Sequence, residues 1–121
     1  MENPKKVSLW LGNFTSKKAL NNFLKEKYDE DGDVSSEFME DFQIEYIDHD
    51  FQEIYYYENE TSKEKIFNDF SYINSFLAEI PETNWQEYNS IIFLYNFEYP
   101  GTIKQNQQLK FIATFDFIEK E

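Results

Sequence analysis

SIIFLYNF, residues 90–97, and LKFIATFDF, residues 109–117, are the stretches on which the fold turns. The first is apolar almost throughout, as a strand covered on both faces must be. The second alternates, with Leu109, Phe111, Ala113, Phe115 and Phe117 on one side, the pattern of a half-covered strand. Between them, Tyr99-Pro100-Gly101-Thr102 fits a type II turn with glycine at the position of positive φ. Two strands joined this way predict an antiparallel pair. Working back to the N-terminus, Lys5 to Phe14 reads as another strand. Val7, Leu9 and Leu11 share one face, with Trp10 and Phe14 on the other, so both faces are at least partly covered.

Helical spacing fills the gaps. Thr15 or Ser16 can cap a helix in which Ala19/Leu20, Phe23/Leu24 and Lys27/Tyr28 recur on one face. It ends in the acidic turn Asp29-Glu30-Asp31-Gly32-Asp33. A short second helix, from Ser35 or Ser36 to about Phe42, buries Phe38 and Phe42. Phe42 to Tyr57 has strand character with a break near Asp48-His49-Asp50. Thr61-Ser62-Lys63-Glu64 is a capping box, and Ile66, Phe70, Ile73, Leu77 and Ile80 behind it predict a long helix that Pro81 closes. The order β-α-α-β-α-β-β, without repeat or linker, predicts one α+β domain over residues 1–121. Its sheet is mostly antiparallel, with helices packed on one face.

Composition sets the function class. Aromatic residues make up 20% of the chain, too many for a disordered acidic tail despite a net charge of −13. Cys is absent, which excludes a disulfide framework and a thiolate zinc site. The N-terminal apolar run, Val7 to Leu11, is too short for a signal peptide or a membrane span, and a cytoplasmic protein is expected. Between Glu26 and Glu60 stand 14 acidic residues against one base, Lys27; this balance equals the net charge of the whole chain. Phosphate contacts need clustered Lys or Arg, so nucleic-acid and anionic-membrane partners are disfavoured and a basic protein partner is favoured.

Catalysis lacks its parts. A Ser-His-Asp arrangement would have to draw on His49, the one histidine, which stands in a run of carboxylates, poor surroundings for a neutral general base. There is no phosphate loop. Asp29, Asp31 and Asp33 match positions 1, 3 and 5 of an EF-hand calcium loop and Glu40 matches position 12, but Val34 replaces the glycine at position 6. Ser36 replaces the usual apolar residue two places on. The expectation is a helix-to-helix turn, with no metal and no cofactor. In Asp48-His49-Asp50-Phe51-Gln52-Glu53, followed by Tyr55, acids alternate with apolar anchors. At strand spacing, Asp48, Asp50 and Gln52 would share one face, and Phe51 and Glu53 the other. Aromatic area beside carboxylates suits a protein interface. A metal-dependent or carboxylate enzyme built on the acidic loops, or an adaptor protein, is the alternative.

Three blocks, VSLWLGNF (7–14), YDEDGDVSSEF (28–38) and DFQIEYIDHDFQE (41–53), together with IIFLYNFEYPG (91–101) and LKFIATFDF (109–117), resemble the immunity protein 22 family of bacterial polymorphic toxin systems. The resemblance runs through nearly the whole chain in the same order. It implies an α+β protein encoded beside a toxin gene, an antitoxin and not an enzyme, whose partner is a cognate toxin and often a nuclease. It does not say which residues touch the toxin. The charge adds its own expectation: Asp29, Asp31, Asp33, Asp48, Asp50, Glu53 and Tyr55 form the toxin-binding set. Trp10, Gly12 and Asn13 match the family motif but lie on a core strand, and their role is read as structural.

Overall fold

The two-sided apolar pattern of the first strand places it inside a sheet. In the computed structural model, which describes residues 2–119, β1 (Glu2–Gly12) pairs antiparallel on both sides. After β1 come α1 (Lys17–Leu24), β2 (Lys27–Tyr28), β3 (Val34–Ser35), α2 (Glu37–Phe42), β4 (Gln52–Tyr56), α3 (Lys63–Phe67), β5 (Ser90–Phe97) and β6 (Leu109–Asp116). The main sheet has four strands in the order β4-β5-β1-β6; β2 and β3 form a separate two-stranded ribbon.

The α+β class, the antiparallel sheet and the broad element order are as expected, but four details differ. First, β6 pairs with β1 and not with β5, because β5 already has β1 on one side and β4 on the other. β5 and β6 therefore run parallel, and the loop over 98–108 returns along β1, over the face that carries Trp10, to the Gly12 end. Second, that loop is not a type II turn: among the described glycines the positive φ belongs to Gly32. Gly101 is required for space, since a Cβ there would lie 2.5 Å from the hydroxyl oxygen of Tyr99.

Third, the helices cover both faces of the sheet and not one. Val7, Leu9, Leu11, Ile91, Phe93 and Phe115 pack against α3 and the segment after it. Trp10, Ile92, Leu94 and Leu109 pack against α1 and α2. Strands apolar on both faces leave no alternative, because a single helical layer would expose half of that surface to water. Fourth, the long helix breaks. Its cap is Ser62, one residue later than expected, and after Phe67 the apolar repeat continues through two short 3-10 turns, Ile73–Ser75 and Leu77–Glu79. Residues 68–75 include Asn, Asp and Ser, whose side chains compete for backbone groups. Ser75 donates to Tyr72 O at 2.8 Å, and Tyr72 adopts a left-handed φ of 58°. The apolar positions still reach the core, since 3-10 turns also return a residue to the same face after three positions.

Buried tyrosines tie this framework together. Tyr57 donates to Trp85 O and Tyr95 to Ser71 O, both at 2.8 Å. The Tyr99 hydroxyl lies 3.0 Å from the carbonyls of both Phe42 and Ile103, linking α2 to the loop after β5. Burial raises the pKa of all three, and the nearby Glu53 carboxylate adds to the effect at Tyr95. An unfolded tyrosine ionises near pH ~10, so the native state holds protons that the unfolded state releases. Their contribution is complete below that pH and is lost as pH rises above it. Tyrosinate absorbance is expected to show these three of the nine tyrosines ionising only with unfolding. Smooth titration of all nine in a still-folded chain would contradict this.

Candidate functional site

The acidic segment folds into two neighbouring pieces. The first is the β2–β3 ribbon. Asp29 Oδ1 accepts from the amides of Asp31 and Asp33, both at 2.9 Å, and Gly32 turns the tip with φ 82°. The expected helix-to-helix turn is thus a hairpin. The carboxylates of Asp29, Asp31 and Asp33 come within 4.8 Å of one another and are exposed. The flanking elements are two-residue strands, not EF-hand helices, and Glu40 accepts from Ser35 at 3.1 Å. Calcium at about 1 mM is expected to shift the melting temperature by less than about 1 °C. A rise of several degrees that Asp29→Ala abolishes would make the loop a metal site.

The second piece runs from Gln43 to Phe51. Asp48 caps the 3-10 turn His49–Phe51, accepting from Asp50 N at 3.0 Å, so the expected strand alternation begins only at Gln52. His49 is held from both sides. Its Nε2 lies 2.7 Å from Glu26 Oε2, and its Nδ1 lies 3.3 Å from the side-chain amide of Gln52. That bond to Glu26 draws the ribbon and the 43–51 segment together. Asp33, Val34, Glu45, Tyr46 and His49 line one depression between them. On the other side of Tyr46, a groove of about 410 Å³ runs over Ile47, Asp48, Phe51, Phe97 and Pro100. Tyr46 is 71% exposed and Phe51 41%, large apolar rings standing among Asp33, Glu45 and Asp48. Among the described residues, no helix is long and apolar enough to cross a membrane.

An aromatic ridge flanked by grooves and carboxylates is equipped to bind a basic protein surface. The family described as Immunity protein 22 matches residues 7–118 of the chain. The chain belongs to the Immunity protein 22 family. No curated protein and no solved structure matches it. Membership in an immunity-protein family supports an antitoxin role and implies a cognate toxin as the partner.

In this Immunity protein 22 member the expected binding residues do not all meet. Asp33 and Asp48 border adjoining depressions, with Asp29 and Asp31 beside Asp33 on the ribbon. Asp50 stands just beyond, exposed at the start of the next groove. Glu53 and Tyr55 lie opposite Phe93 and Ile91 in the β4–β5 register, so their side chains stand on the α3 face. The Glu53 carboxylate accepts from both the amide and the hydroxyl of Ser71, and the Tyr55 ring meets Tyr57 and Phe70. Sequence reasoning missed Glu45 and Tyr46. Spacing gave no signal for them: Ile44 and Tyr46 stand two apart, which in a strand is one face, yet Ile44 is buried and Tyr46 exposed.

Proposed function

We propose that the protein neutralises a basic toxin domain, a nuclease, by covering its phosphate-holding surface with the acidic face of residues 26–60. A nuclease must be positive where it grips the backbone of its substrate, and a fixed array of carboxylates competes for the same surface. Asp29, Asp31, Asp33, Asp48 and Asp50 supply the charge, while Glu53 and Tyr55 form the border at β4. The protein acts in the cytoplasm, where such a nuclease meets nucleic acid, and itself binds neither nucleic acid nor membrane.

The observation that carries this reading is the exposure of Tyr46 and Phe51 among those acids. Charge alone keeps a protein soluble; charge around exposed rings that border grooves adds the area and shape of an interface. The test is co-expression with the toxin domain encoded beside it. The expected result is growth where the toxin alone kills, and a stoichiometric complex on purification. Death of the cells with both proteins present and folded would overturn the reading.

A further inference from the structure

We infer that β4 is a docking edge, on which a basic extended segment of the partner adds as a fifth strand. The backbone register carries the inference. Tyr57 N donates to Asn89 O at 2.8 Å, in line with the β4–β5 register. In an antiparallel ladder, alternate residues bond to the neighbour, so Tyr55 and Glu53 turn their backbone groups to β5. The next strand pair agrees. Asn13 N donates to Gln108 O at 2.8 Å, which assigns Leu11 to β6 and leaves Gly12, Trp10 and Ser8 to bond with β5. Ser90, Ile92 and Leu94 therefore face β1, and Ile91 and Phe93 face β4. The N–H and C=O groups of Ile54 and Tyr56 point away from the sheet, and among the described residues nothing outside the ladder bonds to them.

The two sheet edges are treated differently. The start of β6 is covered, since Phe111 N donates to Lys104 O at 2.7 Å and Asn106 N to Leu109 O at 2.9 Å. A register shift between Leu9 and Trp10 also irregularises that side. β4 has no proline, lysine or bulge, the usual devices that keep an edge from pairing. Beside it, a cleft of about 320 Å³ opens between β4 and α3, floored by Tyr55, Ile66 and Phe70 and bordered by Glu53, Lys65 and Asp69. An edge strand with a cleft alongside is the geometry of strand addition: the backbone supplies affinity, and the cleft receives alternate side chains.

Charge chooses the occupant. Asp48 and Asp50 precede the edge, Glu58 and Glu60 follow it, and Lys65 is the one base at the cleft. A second copy would bring two chains of charge −13 together. A segment alternating Lys or Arg with apolar residues meets both the acidic border and the cleft. This deepens the antitoxin reading and rests on it.

The experiment is amide hydrogen exchange on the free protein and on its complex with the toxin domain encoded beside it. The free protein should exchange quickly at Ile54 and Tyr56 and slowly at Glu53 and Tyr55, and the complex should be slow at all four. Ile54→Pro removes an outward N–H that the fold does not use, a position where an edge strand tolerates proline. It should leave the melting temperature nearly unchanged and weaken the complex about tenfold to a hundredfold. If the complex forms and Ile54 and Tyr56 still exchange as in the free protein, strand addition is wrong and the antitoxin reading stands. If no complex forms, both fall. Self-association that Ile54→Pro abolishes would assign the edge to a second copy and overturn the choice of partner.

Discussion

Replacing Trp10 with alanine is expected to cost about 3–5 kcal/mol of folding stability, and replacing Phe93 with alanine about the same. Trp10 has no exposed surface, and its ring meets Phe38 at 5.1 Å, Phe42 at 6.0 Å, Tyr99 at 5.3 Å and Phe111 at 5.1 Å between centroids. One side chain therefore joins the central strand to α2, to the loop after β5 and to β6. Phe93 does the same on the opposite face, touching Phe67, Phe70, Phe76 and Tyr95. A domain of this size has about 5–15 kcal/mol in total, so either change brings it near unfolding. Trp10→Phe should cost much less. It keeps an aromatic ring in the cluster and removes an indole N–H that is buried without a hydrogen-bond partner among the described residues. Urea unfolding of the three variants checks this. A loss below about 1 kcal/mol at both alanine positions would mean that the two cores are not what hold the sheet.

The strands were legible because their signal is local. Ser90 to Phe97 is β5 as read, and the two-faced pattern of β1 already pointed to cover on both sides. Pairing was not legible in the same way. Nothing within 109–117 says which neighbour it will take; that depends on β4 occupying the far side of β5. Residues 61–80 show the opposite failure. The apolar residues were rightly read as core, but the polar residues between them decided against a continuous helix, and the buried positions then fall three apart, at Phe70, Ile73 and Phe76, with Leu77 only partly buried. At the site, the charge of each Asp could be read from the sequence, but its partners could not. Glu53 read as another exposed acid until the Ser71 bonds placed it in the framework. The meeting of the 29–33 ribbon with the 43–51 segment depends on the Glu26–His49 pair, which spans a whole helix and could not be read from spacing.

The largest effect on function is expected where charge and aromatic area coincide. If Tyr46 anchors the toxin, Tyr46→Ala should speed dissociation and cost about 2–4 kcal/mol of binding, the range of a central aromatic hot spot. Asp48→Asn should cost about 2–5 kcal/mol if its carboxylate meets a toxin Lys or Arg away from water. Asparagine is the right replacement there, because it can still accept from Asp50 N and preserve the turn, so only the charge is lost. Asp29, Asp31 and Asp33 should act through association instead. Raising salt from about 50 to about 500 mM should slow the on-rate by roughly tenfold or more, because steering is screened beyond a Debye length. The triple Asn variant at these positions should show a slower on-rate at low salt and little further change at high salt. Glu53→Gln should behave differently from all of these, lowering the melting temperature more than the affinity, since its partner is Ser71 within the same chain. Glu87→Ala, an exposed acid outside the segment, is the control and should leave both unchanged. Surface plasmon resonance with the toxin domain, paired with a melting curve for each variant, separates these cases. If Tyr46→Ala and Asp48→Asn stay folded and bind as the unmodified protein does, the groove beside Tyr46 is not the interface.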